Sequence, residues 1–393
     1  MAGVQIGLSW IFHCELYQNQ ISTVLRGLSG VKSHYKKDVY PLPRIDETLE
    51  ALGGACLFTT LDLRAGYWQI NEAKNDRNKT AFTTKRGLYR FKRMPFGLTN
   101  APATFQRLMN GGLNWTTCLV YLDDIVVFTQ GNIERHVLQL AAIQERLSAA
   151  GLTLKLKKCV FAAESMEYLG HFLSKEGVRP LNRLVMAVTE FPRPKDVVEI
   201  KRFVHLAGYY RKFIEAFGSI VESMTRLLKK DTWTEEQEFD FSRVKMILTT
   251  RPLLLCPNFR LPFRLITDES KVGLGACLMQ DQGRGWQPIA YASKVINDAE
   301  ANYSITELEC LAVVWSEKLF RPYLYGRAFT IITDHAALKW LMTCPNLAGR
   351  LHRWSLTLQE YEFDVLYAPM WLQMLYRGHL QLYDRRSADQ VGM

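Results

Sequence analysis

The residues of this chain best suited to chemistry are carboxylates set at the ends of apolar runs. Asp123 and Asp124 stand between Cys118-Leu119-Val120 and Ile125-Val126-Val127-Phe128, so the pair tops a hairpin between buried strands. Aspartates are common at tight turns for conformational reasons alone. A third carboxylate makes that account insufficient, because Asp62 closes another apolar strand, Leu57-Phe58-Thr59-Thr60-Leu61. Three carboxylates converging at strand ends repel one another by roughly 4 kcal/mol per close pair at an effective dielectric near 20. Such a cluster needs bound cations, and Asp62, Asp123 and Asp124 are the expected ligands of magnesium, with manganese as its substitute.

A second acidic group follows the same design. Phe263-Arg264-Leu265-Ile266-Thr267 ends in Asp268, and Phe329-Thr330-Ile331-Ile332-Thr333 ends in Asp334. If these strands are parallel neighbours, both carboxylates emerge at one sheet edge, where α/β sites sit. Between them lies a helix with two acidic candidates, Glu307 and Glu309. Leu308, Leu311, Ala312, Trp315 and Leu319 define its expected buried face, and the glutamates flank that face on opposite sides. Ser304-Ile305-Thr306-Glu307 is a capping box, which gives Glu307 a structural task, although Thr306 and Glu309 allow a second one.

The elements that must position these groups can be read from periodicity and turn residues. A helix is expected from Ile45 to Leu52, capped by Asp46 and stopped by Gly53-Gly54. Strand-like runs cover Cys56 to Asp62, Tyr67 to Ile70, Lys79 to Thr83 and Leu88 to Lys92. Asn100 opens a helix to about Met109, with Pro102 in its first turn. Glu134 to Ala149 is amphipathic. Beyond Pro180, Pro192 and Pro194, the residues Ile200, Phe203, Val204, Ala207, Phe213, Ile214 and Phe217 fall at helical spacing, and Thr234 with Gln237 caps a further helix. After Pro252, Pro257 and Pro262 come strands Phe263 to Thr267, Gly275 to Met279 and Ile289 to Ala292. A helix from Ser304 to Phe320, a strand from Phe329 to Thr333, two helices and a strand from Glu362 to Tyr367 complete the series. That order suggests a mixed sheet with helices packed on it.

At this point a family resemblance becomes specific. Phe58-Thr59-Thr60-Leu61-Asp62-Leu63-Arg64-Ala65-Gly66-Tyr67, then Met94-Pro95-Phe96-Gly97-Leu98-Thr99-Asn100-Ala101-Pro102-Ala103-Thr104-Phe105, then Tyr121-Leu122-Asp123-Asp124 resemble, in order, the palm motifs of gypsy-class reverse transcriptases. The resemblance implies a right-hand polymerase palm in which Asp62, Asp123 and Asp124 hold two magnesium ions. Those ions would activate a primer 3′-hydroxyl and stabilise the leaving pyrophosphate. Tyr67 would reject a ribose 2′-hydroxyl, with core packing as its plainer role. Phe96 and Gly97 would line the nucleotide pocket. Lys158 resembles a lysine that protonates pyrophosphate, although Lys155 and Lys157 lie close by. Tyr168-Leu169-Gly170-His171 resembles the primer-gripping hairpin, with His171 as a packing residue.

The later region is similar to a retroelement ribonuclease H domain, through Thr267-Asp268-Glu269-Ser270, Gly273-Leu274-Gly275-Ala276, Ile289-Ala290-Tyr291-Ala292-Ser293, Arg321-Pro322-Tyr323-Leu324-Tyr325-Gly326 and Thr333-Asp334-His335. In that family the catalytic glutamate is commonly followed by alanine at the third position and an aliphatic residue at the fourth. Ala312 and Val313 satisfy this for Glu309, so Asp268, Glu309 and Asp334 are the expected catalytic metal ligands. The expected class is multidomain α+β and α/β: partial fingers and palm at 31–179, thumb and connection helices at 180–250, and a ribonuclease H-like mixed-sheet domain at 251–369. Residues 1–30 stand as an unmatched segment and 370–393 as a divergent tail. The implied partners are an RNA template, a DNA primer, an RNA–DNA hybrid and deoxynucleoside triphosphates. Lys201, Arg202, Arg211, Lys212, Arg350 and Arg353 are placed to track phosphates.

Bulk properties agree with that reading. The chain has 393 residues, a formal charge of +10 and 48% hydrophobic residues. Cores can therefore be built, and a polyanionic partner is favoured. No stretch reaches the ~18 apolar residues that a membrane span needs. The eight cysteines never form C-x-x-C, as in an intracellular protein with reduced thiols, cytoplasmic, nuclear or in a retrotransposon particle. The resemblance weakens at both edges. Residues 1–30 lack a recognisable fingers segment, and Met370-Trp371-Leu372-Gln373 stands where the family carries a fourth aspartate. A catalytically inactive nucleic-acid-binding remnant is thus the alternative expectation.

Overall fold

The computed structural model describes residues 38–112, 118–227, 233–250, 252–333, 337–344 and 349–367. Residues 1–30, Lys36 and Lys37, Asp334, His335 and the tail from 370 onward lie outside these. The chain divides into two compact units, one holding residues 55–164 and the segment before Leu49, the other 49–54 and everything from Ser165.

Helix α1 (Ile45–Ala51) has its first residues in the first unit and its last in the second. The first unit continues with strands β1 (Leu57–Asp62), β2 (Phe82–Thr84) and β3 (Gly87–Tyr89), and then helix α2 (Ala101–Gly112). Strands β4 (Cys118–Tyr121) and β5 (Asp124–Thr129), helix α3 (Ile133–Ala149) and strand β6 (Val160–Ala163) follow. A four-stranded antiparallel sheet has the order β4-β5-β1-β6. One face carries Leu61, Val120, Ile125 and Val127, which pack on Phe105 and Met109 of α2 and Ile143 and Leu147 of α3. Each such side chain contributes about 1.5–3 kcal/mol when fully buried. The alternation of these residues fixes which face is buried, and the carboxylates lie at the rim because β1 ends at Asp62 and β5 begins at Asp124.

A buried histidine ties α3 to the middle of that sheet. His136 is 1% exposed; its Nε2 lies 2.7 Å from Thr59 Oγ1 and its Nδ1 2.8 Å from Thr129 Oγ1. The Thr129 hydroxyl donates to Gln139 Oε1, so it accepts from His136 Nδ1–H. Nε2 therefore accepts from the Thr59 hydroxyl, whose oxygen in turn accepts the Ala162 N–H at 3.0 Å. Burial pushes the His136 pKa down and keeps this fully satisfied neutral form.

In the second unit, β7 (Ser165–Tyr168), β8 (His171–Ser174) and β9 (Gly177–Pro180) form an antiparallel meander. Helices α4 (Asn182–Thr189), α5 (Val197–Gly208), α6 (Phe217–Arg226) and α7 (Glu235–Thr249) come next. A five-stranded mixed sheet then builds on β10 (Phe263–Glu269), β11 (Gly273–Asp281) and β12 (Trp286–Val295). Helices α8 (Ile305–Leu319) and α9 (Arg321–Leu324), strand β13 (Phe329–Thr333), helices α10 (Ala337–Thr343) and α11 (Gly349–Leu358) and strand β14 (Phe363–Tyr367) complete it, in the order β12-β11-β10-β13-β14. The expected class, a palm-type unit followed by helices and a ribonuclease H-like mixed sheet, is what the chain adopts.

Several local expectations are corrected. Tyr67 to Ile70 is not a strand: Ala65 takes a left-handed conformation (φ 53°, ψ 60°) and turns the chain into a 3-10 turn, Gly66–Gln69. Lys79 falls in a second 3-10 turn, Arg77–Thr80. Asp46 lies inside the first turn of α1 and not at its cap. The helical spacing from Ile200 to Phe217 is divided by a 3-10 turn at Arg211–Phe213. The buried surface of α8 is also wider than expected. Leu308 and Ala312 are buried as expected, but Leu319 is 48% exposed, and Cys310, Val313, Val314 and Glu317, outside the expected stripe, are at most 2% exposed. This helix packs on the sheet and on α10 and α11, so two of its sides are covered and a single apolar stripe cannot describe it.

Glu317 is the odd group in that core. Neither carboxylate oxygen has a hydrogen-bond partner among the described residues, and burial pushes its pKa from 4.5 up to about 8. A folded value above the unfolded one means that the native state is increasingly penalised as pH rises from about 4.5 toward 8. Glu317→Met should therefore raise the melting temperature, and the gain should grow by up to roughly 1.4 kcal/mol per pH unit across that window. Melting curves at pH 5 and pH 8 test this; an equal gain at both would show that the carboxyl is not held protonated.

Candidate active sites

The first site is built by strand register. Asp62, the last residue of β1, is the cross-strand partner of Asp124, the first residue of β5. Asp123 occupies the two-residue turn between β4 and β5, after Leu122 at φ 54°. Leu122 and Ala65 are both non-glycine residues in the left-handed region; Leu122 directly precedes Asp123, and Ala65 precedes Gly66. That conformation costs on the order of 1–2 kcal/mol per residue.

Charge couples the three carboxylates. Burial first, then the charges of Asp124 and Asp62, pushes the Asp123 carboxyl above the usual range. Burial and Asp62 do the same to Asp124, opposed by the Lys158 ammonium. Among the described residues Asp123 Oδ1 is buried without a hydrogen-bond partner. It lies against Gly66, where an added Cβ would stand 2.3 Å from Oδ1 and 2.9 Å from Phe105 Cζ. Among the described residues no three His, Cys, Asp or Glu side chains close around one point. The donor set nonetheless suits a hard divalent cation: all-oxygen, mutually repelling, and with one oxygen buried and unmatched.

The other expected residues stand around this edge. Tyr67 is half-buried, its ring 5.2 Å from those of Phe96 and Phe105. Burial and the neighbouring Asp123 raise its pKa. Its ring thus both packs on the core and borders the carboxylates. Phe96 is 43% exposed beside Gly97, whose φ of 90° favours glycine. Of the three neighbouring lysines, Lys158 reaches the cluster, with Nζ 3.2 Å from Asp62 Oδ2. Lys155 instead uses its backbone N–H to hold the Asp62 carbonyl at 2.8 Å. Gly66 carries no chemistry, so the carboxylate pattern gave no separate reason to single it out; its signal is the absence of a side chain beside a crowded acid.

In the second unit, β10 and β13 are parallel neighbours, pairing Phe263 with Phe329 through Ile266 with Ile332. Asp268 lies near the end of β10. Asp334 follows β13 directly but lies outside the described residues. The two glutamates of α8 separate clearly. Glu307 closes the capping box with Ser304 and pairs with Arg350 at 3.4 Å, and the Ser304 N–H holds its pKa below the usual range. Glu309 is 5% exposed, on a helix packed against β10. His171 is 2% exposed among Tyr209, Tyr210 and Phe213, the surroundings of a packing residue.

Gly66→Ala should push the Asp123 carboxylate aside. The expected result is Mn2+ binding weakened by on the order of tenfold, equivalent to 1.4 kcal/mol, with the circular dichroism spectrum unchanged. Undiminished binding by calorimetry would show that Asp123 has room to yield.

Comparison with known proteins bears on both units. Residues 13–173 match the reverse transcriptase (RNA-dependent DNA polymerase) family, and residues 258–361 match the RNase H-like domain found in reverse transcriptase. The first match begins at residue 13, upstream of the motifs, which left 1–30 outside the resemblance. The chain is 42% identical over 337 residues to the retrovirus-related Pol polyprotein from transposon 297 of Drosophila melanogaster, covering 84% of this chain and 31% of that protein. It is 37% identical over 351 residues to the Pol polyprotein from transposon gypsy of the same organism, covering 84% and 33%. The chain thus spans about a third of these relatives. A foamy viral protease-reverse transcriptase solved in complex with double-stranded DNA shares the fold, with a TM-score of 0.76 at 20% identity over 85% of this chain and 60% of that one. The chain therefore belongs with the Pol polyproteins of LTR retrotransposons, and the part it represents carries their reverse transcriptase and RNase H-like domains.

Proposed function

We propose that this chain is an RNA-directed DNA polymerase with ribonuclease H activity, serving retrotransposon replication. The observation that carries the reading is the first carboxylate edge: Asp62, Asp123 and Asp124 at adjoining strand ends, mutually charged, bordered by Tyr67 and Lys158. The foamy viral relatives of the fold were solved with double-stranded DNA and with an RNA/DNA hybrid, which supports template, primer and hybrid as partners. The substrates are deoxynucleoside triphosphates. The working compartment is the cytoplasm, a retrotransposon particle or the nucleus. The palm and partial fingers cover 31–179, the thumb and connection 180–250, and the ribonuclease H part 251–369.

Divalent cations bound by Asp62, Asp123 and Asp124 would supply the Lewis acidity for in-line phosphoryl transfer. The chain's own residues do the rest. Tyr67, propped by Phe96 and Phe105, fills the space that a 2′-hydroxyl would need. Phe96 and Gly97 border the nucleotide, Gly97 because its backbone conformation suits no side chain. Lys158 neutralises Asp62 and stands ready to give a proton to the departing pyrophosphate. In the second unit, Asp268, Glu309 and Asp334 form the hybrid-cleaving site, with Glu307 kept to its capping task.

Two measurements test this. Asp123→Asn with Asp124→Asn should abolish primer extension on poly(rA)·oligo(dT) while hybrid binding persists, since ligation is lost but phosphate-tracking charge remains. Full extension by the double variant would sink the assignment. Tyr67→Val should raise the ratio of ribonucleotide to deoxynucleotide incorporation, by about tenfold or more if the ring's exclusion is worth 1.4 kcal/mol. An unchanged ratio would return Tyr67 to core packing alone.

A further inference from the structure

We propose that Gln106 is a positioning residue that sets the Asp123–Asp124 turn by clasping its backbone; the proposal rests on the polymerase reading above. Gln106 is 0% exposed on α2, a helix seated in the core by Phe105 and Met109, which are 0% and 1% exposed. Its amide spans the β4–β5 turn. Nε2 donates to the Val120 carbonyl at 2.9 Å, and Oε1 accepts the Leu122 N–H at 2.8 Å. The second Nε2 hydrogen goes to Asn110 Oδ1 at 2.8 Å, and Asn110 Nδ2 donates to Tyr40 Oη at 2.7 Å. Two acceptors on one side and a donor on the other fix which way the amide points.

The clasp lands where the turn is weakest. Leu122 is held at φ 54°, a first central position that tight hairpins normally give to glycine, and Asp123 follows it directly. Nothing in the ladder pairs the Leu122 N–H, because the register ends at Tyr121 and Asp124. Gln106 satisfies that N–H and resists relaxation of Leu122 toward an ordinary conformation. Such a relaxation would rotate the peptide leading into Asp123 and carry its carboxylate off Gly66. An apolar residue of equal volume could fill the space but could not hold the turn.

The test uses the full chain and three readouts: Mn2+ binding by calorimetry, the kcat and KM for dNTP, and thermal unfolding. Gln106→Met should weaken Mn2+ binding by about tenfold. It should lower kcat by about a hundredfold, the scale of a 1 Å misplacement, with KM within about twofold. Gln106→Glu keeps the acceptor for Leu122 N–H and loses the donors, so it should fall between wild type and Met on the first two readouts. It also carries the test if the Met variant does not fold. A lowered melting temperature with unchanged Mn2+ affinity and kcat, in either variant, would reduce Gln106 to packing and overturn the proposal. Asp123→Asn run alongside separates the two readings: if it still binds Mn2+ and extends primer, the polymerase reading fails; if it fails on both while Gln106→Met is normal, only the clasp is wrong.

Discussion

Three carboxylates can share one edge of a sheet only if the backbone behind them is stiffer than their mutual repulsion. At roughly 4 kcal/mol per close pair, that repulsion is comparable to a large part of a domain's net stability. Side-chain hydrogen bonds relieve it only in part, since Asp123 Oδ1 has none among the described residues. The restraint comes from behind and beside. Register fixes Asp62 opposite Asp124, the apolar face locks β1 and β5 against α2 and α3, and His136 joins the threonines of both strands. Lys158 then removes part of the remaining charge at Asp62. A site strained in this way favours whatever cation would relieve it, which is how poor side-chain satisfaction becomes a binding site.

The second unit solves a related problem with three glutamates on one helix. Glu307 is stabilised as an anion by the capping N–H of Ser304 and by Arg350. Glu317, ten residues on, is forced toward its neutral form by a core that offers it no partner. Glu309 lies between them in sequence and is nearly as buried. The difference follows from position along the helix. Residue 307 lies in the exposed first turn, within reach of the cap, whereas 317 lies about two to three turns further on, beside the buried Cys310, Val313 and Val314. Two identical side chains on one helix thus acquire opposite protonation tendencies from position alone.

Much of this could be read from the sequence. Apolar runs ending in Asp62 and Asp268 became strands ending at or near those residues, and the runs on either side of Asp123 and Asp124 became the two strands of a hairpin. The Ser304 box capped its helix as expected, because alternation and capping are local rules. What was misread depended on distant partners or on single backbone angles. The 3-10 turn bearing Tyr67 follows from one left-handed alanine, which no propensity would assign. The buried face of α8 depends on being covered by both sheet and helices. The lysine singled out in the sequence, Lys158, is the one that reaches back to β1, although its neighbours Lys155 and Lys157 offered the same local signal and only tertiary structure separates them. The carboxylate of Asp334 was inferred from the strand before it and lies outside the described residues.

The legible and the illegible parts of the first site divide along a physical line. The groups that would touch metal and nucleotide are charged or aromatic, and they announce themselves at strand ends. The groups that hold them are an alanine and a leucine in a left-handed conformation, a glycine without room for a methyl group, and a glutamine sealed inside a helix contact. None of these types suggests chemistry when read alone. Ala65 and Leu122 cost backbone strain, Gln106 costs desolvation of an amide, and Gly66 leaves the room that the Asp123 carboxylate occupies. A fold that needed only stability would relax such positions, for instance by placing glycine at Leu122. That they are instead left strained and then clasped indicates that the angle at which Asp123 is presented matters more to this edge than the few kcal/mol that relaxation would recover.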